Sequence, residues 1–124
     1  MATANVRYMI DDVPKAIDFC TRRLGFELDQ DSSPAFAAVT RDGLRLLLSG
    51  PTSSGRRPMP DGSQPVPGGW NRIEIVVSDL PAEVDRLRGE GVTFCNEIVR
   101  GPGGAQILVD DPFGNPIELF EPAH

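Results

Sequence analysis

Apolar and polar residues alternate over residues 5–10, with Val6, Tyr8 and Ile10 on one side and Asn5, Arg7 and Met9 on the other. That period of two predicts a strand with one face toward a core. The period then changes. Asp12 is a suitable N-cap, Pro14 fits the first helical turn, and Ala16, Ile17, Phe19, Cys20 and Leu24 form an apolar helical stripe that Gly25 ends. Strands are predicted near 26–30, 34–41 and 44–49, with the turn "RDG" at 41–43 before the last.

The same order returns further along. Ile73, Ile75 and Val77 alternate with Arg72, Glu74 and Val76, predicting a strand over 72–77. A helix over 80–89 follows, stopped by Gly89 and Gly91, then strands near 92–99, 105–110 and 116–121. "DPFGN" at 111–115 supplies the last turn, so the neighbouring Asp110 and Asp111 read as capping groups rather than an acid–base pair. "GPGGAQ" at 101–106 lacks phosphate-loop spacing and reads as a hairpin loop.

The two halves are a repeat. "NVRYMIDDVPKAIDF" from Asn5 matches "RIEIVVSDLPAEVDR" from Arg72 at an offset of 67, and Asp12, Pro14 and Asp18 meet Asp79, Pro81 and Asp85. "GLRLLLSGP" from Gly43 matches "GNPIELFEP" from Gly114 at an offset of 71. Each half reads as strand, helix and three strands. This gives an α+β chain with one module over about 1–50, a linker over 51–69 and a second module over about 70–124. Half of residues 50–69 are Pro or Gly, so neither helix nor strand is expected there. That segment is either a passive linker or a flap carrying Met59 and Val66.

Composition narrows the chemistry. A single domain is expected from 124 residues, and the formal charge of −6 argues against nucleic acid or an anionic membrane as partner. No apolar run is long enough to span a bilayer and no signal-like start is visible, so a cytoplasmic compartment with reduced thiols is expected. Cys20 and Cys95 lack ligand spacing, and buried small hydrophobe is the expectation for both. The only histidine is the terminal His124, which puts imidazole-based metal sites and nucleophile–histidine pairs out of reach.

"IDDVPKAIDFCTRRLGFEL", "VVSDLPAEVDRLRGEGVTF" and "DDPFGNPIELFEP", in that order over nearly the whole chain, resemble the glyoxalase, bleomycin-resistance and extradiol-dioxygenase superfamily, the vicinal oxygen chelate proteins. The resemblance implies tandem βαβββ modules with cup-like curved sheets, and a homodimer with grooves between subunits. It also implies that metal-using members hold their ion at four strand positions, which here are Asn5, Leu47, Arg72 and Glu118. The repeat offsets return the same quartet. Asn5 is a poor ligand, Leu47 is none, and Arg72 is a fixed cation, so no metal and no cofactor are expected.

What is expected instead is a groove for a small organic molecule, hydrophobic or aromatic, lined by Asn5, Arg7, Phe36, Leu47, Trp70, Arg72, Glu74, Glu118 and Phe120. Arg72 and Glu118 suit a bidentate pair, and Arg7 and Glu74 join them as charges that either neutralise one another or meet a ligand. Phe36 and Phe120 are core residues or walls of the groove, and Trp70 is an anchor for the loop or a stacking surface. The leading expectation is a metal-free binding protein that sequesters a compound such as an antibiotic. The alternatives are a lyase, isomerase or dioxygenase-like enzyme using Glu118 or Glu74 as base beside Arg72, and a dimer with no ligand.

Overall fold

The computed structural model describes residues 4–124 and divides into two compact units, one running to Pro67 and one spanning Gly68–His124. The first holds strand β1 (Val6–Met9), helix α1 (Val13–Asp18), and strands β2 (Glu27–Ser32), β3 (Phe36–Arg41) and β4 (Leu44–Ser49). The second holds β5 (Glu74–Val76), α2 (Leu80–Gly89), β6 (Thr93–Phe94), β7 (Val99–Gly101), β8 (Gly104–Asp110) and β9 (Pro116–Pro122). The fold is α+β, with two curved mixed sheets of the βαβββ kind and few helices.

Each sheet is ordered by the same logic. The first strand runs parallel to the last and the middle strands are antiparallel, giving β1-β4-β3-β2 and β5-β9-β8-β6, with β7 also on β8. The central last strand of each module is therefore covered on both edges, and the first strand is an edge.

Both helices start as their sequences require. Asp12 accepts the Lys15 N–H at 3.0 Å and Asp79 accepts the Ala82 N–H at 3.1 Å, with a proline in each first turn. Beyond Asp18 the first helix widens into a π-helical turn, Phe19–Arg23. Ala16, Cys20 and Leu24, spaced by four, are buried, whereas Ile17 and Phe19 of the expected stripe are only half-buried. Spacing by four keeps these three on one side of the helix, and the wider turn carries that side on to Leu24. In α2, Leu80, Val84 and Leu87 are buried at ordinary α spacing, and Gly91 at φ 82 closes the helix. They pack on Ile75, Ile107, Val109, Ile117 and Leu119, the buried face of the second sheet.

Two strands differ from expectation. The stretch 92–99 is two short strands rather than one, because the Asn96 side chain replaces the backbone in the ladder and accepts the Leu108 N–H at 2.9 Å. In β2 a register shift between Leu28 and Gln30 breaks the alternation, and Leu28 is left 48% exposed on an edge strand carrying Glu27, Asp29 and Asp31. Among the described residues no helix is long and apolar enough to cross a membrane.

Candidate functional site

In the first unit the strand register decides which predicted residues share a face. Arg7 stands beside Leu47 and Leu47 beside Ala38, while Met9, Ser49 and Phe36 form the next row. Arg7, Leu47 and Phe36 therefore lie on the face opposite the helix, with Phe36 and Leu47 half-buried. Asn5 is exposed in the coil before β1.

Arg7 is engaged within this unit. Its Nη1 donates to Ser49 Oγ at 3.0 Å, and Ser49 is fully buried. A 3₁₀ turn, Ser54–Arg56, lies against the Arg7 side chain so closely that a Cβ on Gly55 would collide with it. Arg56 fixes that turn by donating from Nη1 to Ile10 O at 2.7 Å and Ser49 O at 3.3 Å, and it pairs with Asp11 through Nη2 at 3.4 Å. The start of the Pro/Gly-rich segment is thus docked and locally helical, contrary to expectation. Arg56 thereby gives the Ile10 carbonyl a partner and adds a second bond to Ser49 O, which already accepts the Ile10 N–H at 3.1 Å. Further along, Met59 and Val66 are 47% and 62% exposed. Sequence alone did not mark Arg56, since nothing in "SSGRRP" says which arginine turns inward.

The second unit gathers the charges. Glu74 is the register partner of Glu118, and Val76 of Phe120, on adjacent parallel strands. Glu118 sits on the central strand and is 7% exposed, whereas Glu74 sits on the edge and is exposed. Arg72, in the coil leading into β5, donates from Nε to Glu118 Oε1 at 3.1 Å. The expected ion pair is present, but its hydrogen bond runs through Nε to a single carboxylate oxygen rather than as a two-bond fork. One guanidinium thus faces two neighbouring carboxyl groups. The hydrogen bond with Glu118 raises the Glu74 carboxyl above the usual carboxylate range, and partial burial and the Glu118 charge push it the same way.

Other predicted residues fall outside this cluster. Phe120 is half-buried, and Trp70 is 82% exposed, so it does not anchor the loop. Cys20 is buried as expected, but Cys95 is exposed, since the break at Asn96 turns it outward. Partial desolvation and the nearby Asp110 raise its thiol, which makes it a weak nucleophile. Asp111 works as a turn cap: its Oδ1 accepts the Phe113 and Asn115 N–H groups, both at 2.8 Å, and Asn115 Nδ2 donates to its Oδ2 at 3.0 Å. Surface hollows occur elsewhere, one lined by Gly25, Glu27 and Arg41 and one by Arg88, Phe94 and Cys95.

The ion that metal-using relatives hold does not fit these donors. The Glu118 carboxylate already carries a guanidinium at 3.1 Å, and that cation cannot be deprotonated to make room. Among the described residues no three His, Cys, Asp or Glu side chains are grouped to hold a metal ion.

A profile of the Glyoxalase/Bleomycin resistance protein/Dioxygenase superfamily matches residues 3–119. A superfamily member from Sphaerobacter thermophilus superposes at TM-score 0.77 with 28% identity, over 98% of this chain and 97% of that one. TnmS3, an antibiotic-binding protein from a Streptomyces species, gives TM-score 0.70 and 26% identity over 99% of both chains. A lactoylglutathione lyase from Agrobacterium tumefaciens gives TM-score 0.76 over 97% and 92%, and at 20% identity it is a likeness of fold. No protein of curated function matches.

Proposed function

The chain belongs to the Glyoxalase/Bleomycin resistance protein/Dioxygenase superfamily, and from that premise we propose that it is a metal-independent small-molecule-binding protein. The observation that carries this reading is the Arg72–Glu118 pair, which spends the site's buried carboxylate on a fixed side-chain cation. The likeness to TnmS3, an antibiotic-binding protein, supports a ligand that is sequestered rather than transformed, and the half-buried Phe36, Leu47 and Phe120 favour a hydrophobic or aromatic one. Its single domain would consist of modules over about 1–50 and 70–124 joined by 51–69, and would act as a cytoplasmic homodimer. Arg7, Phe36 and Leu47 would contribute from the first module, with Asn5 at its margin. Trp70, Arg72, Glu74, Glu118 and Phe120 would contribute from the second.

Binding would rest on apolar burial, with the charged groups orienting polar atoms of the ligand. Trp70, the only tryptophan and 82% exposed, is the reporter for the test. Chelator-treated protein titrated with a panel of aromatic antibiotics should show saturable quenching and return the compound unaltered. Turnover by that metal-free protein refutes the binding-only reading.

The raised Glu74 carboxyl favours a second reading, an enzyme in which Glu74 or Glu118 moves a proton and Arg72 stabilises a developing oxyanion. Glu118→Gln separates the two: an enzyme loses rate while binding is largely kept.

A further inference from the structure

The charge arithmetic of the second sheet extends beyond either reading and holds whether a bound compound is stored or converted. Glu118 is 7% exposed on the central strand, and a carboxylate so placed needs a counter-charge. Around it stand the Glu74 carboxyl on β5, the apolar Leu108 on β8, the apolar Val76 and Phe120, and the Arg72 guanidinium from the coil before β5. Only the last is positive. It donates from Nε to Oε1 at 3.1 Å, and its side chain is 30% exposed.

We infer that Arg72 is the resident cation of this site: its guanidinium holds, on Glu118, the place a divalent ion would need, and thereby closes the second sheet to metal. A histidine at this point of the chain, two residues before β5, would add an imidazole to the Glu74 and Glu118 carboxylates, which are register partners on adjacent strands. An arginine does the reverse. It stays protonated at every accessible pH, takes up one oxygen of the buried carboxylate, and repels a second cation.

The test is a calorimetric titration of wild type, Arg72→His, Arg72→Gln and Arg72→His/Glu118→Gln with Zn²⁺, Mn²⁺ and Ni²⁺, with circular dichroism checking that each variant is folded. Wild type should show no stoichiometric binding. Arg72→His should gain one site per chain, at least about tenfold tighter than any wild-type interaction, and lose it in the double variant. Arg72→Gln keeps a hydrogen-bond donor for Glu118 without the charge. Its affinity should rise over wild type by less, which keeps the idea testable if the histidine variant fails to fold. The inference is overturned if a folded Arg72→His or Arg72→Gln binds no better than wild type. It is equally overturned if wild type binds a divalent ion through Glu118.

Discussion

Replacing Arg72 by alanine should destabilise the protein through Glu118. The substitution removes the Nε–Oε1 hydrogen bond of 3.1 Å and leaves a carboxylate that is 7% exposed beside a second carboxyl group. Breaking a fully buried pair by deleting one partner costs about 3–5 kcal/mol, and a hydrogen bond to a charged group contributes about 1.5–3 kcal/mol. Here the arginine side chain is 30% exposed and the glutamate side chain 10%, so water offsets part of the loss and about 2 kcal/mol is expected at neutral pH. For a chain of this length that lowers the melting temperature by roughly 6–10 °C. The cost should shrink in acid, where Glu74 keeps its proton and sets no second charge beside Glu118. Arg72→Ala/Glu118→Gln should recover most of the stability, since neither charge is left stranded. Thermal unfolding of wild type, both single variants and the double variant, each at about pH 5 and about pH 7, measures this. A loss below about 0.5 kcal/mol, equal at both pH values, would show that the pair is a surface ornament and refute the reasoning.

Two further outcomes follow from named contacts. Glu74 has its carboxyl raised in the folded state, so the native protein holds that proton more tightly than the unfolded chain. Its contribution to stability is therefore lost as pH rises from the unfolded value, near the ordinary 4.5, through the folded one. Glu74→Gln should accordingly match wild type in acid and be more stable at neutral pH, with the gap opening across that window in pH-resolved melting; a constant gap would contradict the assignment. Asp111→Ala strands the Phe113 and Asn115 N–H groups and frees the Asn115 side chain, which otherwise accepts the Gly68 N–H at 2.7 Å. A loss of about 2–3 kcal/mol in urea unfolding is expected, and a loss confined to a few tenths would mean that water replaces those bonds freely.

Much of the fold was legible because its signals are local. The period of two at residues 5–10, the aspartate-proline helix starts and the Asp42–Gly43 turn, with φ 49 and 84, are each written in a few adjacent residues. The repeat then fixed the order of elements, and the family resemblance, in agreement with its two offsets, pointed to Arg72 and Glu118. The departures are places where a side chain took a backbone role. Asn96 split a strand, the β2 bulge turned Leu28 outward, and Arg56 bound the carbonyls at Ile10 and Ser49.

What the sequence determined by itself is the two-module plan and the chemical identity of the groups facing away from each helix, because alternation assigns faces without reference to distance. What only the tertiary structure decided is how those groups share charge. That depends on which strand is central and which is an edge. Glu118 lies between two strands and loses its water, while Glu74, one strand over, keeps its exposure and takes the proton, and Arg72 reaches the buried one through Nε. Burial and register are properties of the assembled sheet, and they turned three residues of compatible chemistry into a site with one fixed cation and one adjustable acid.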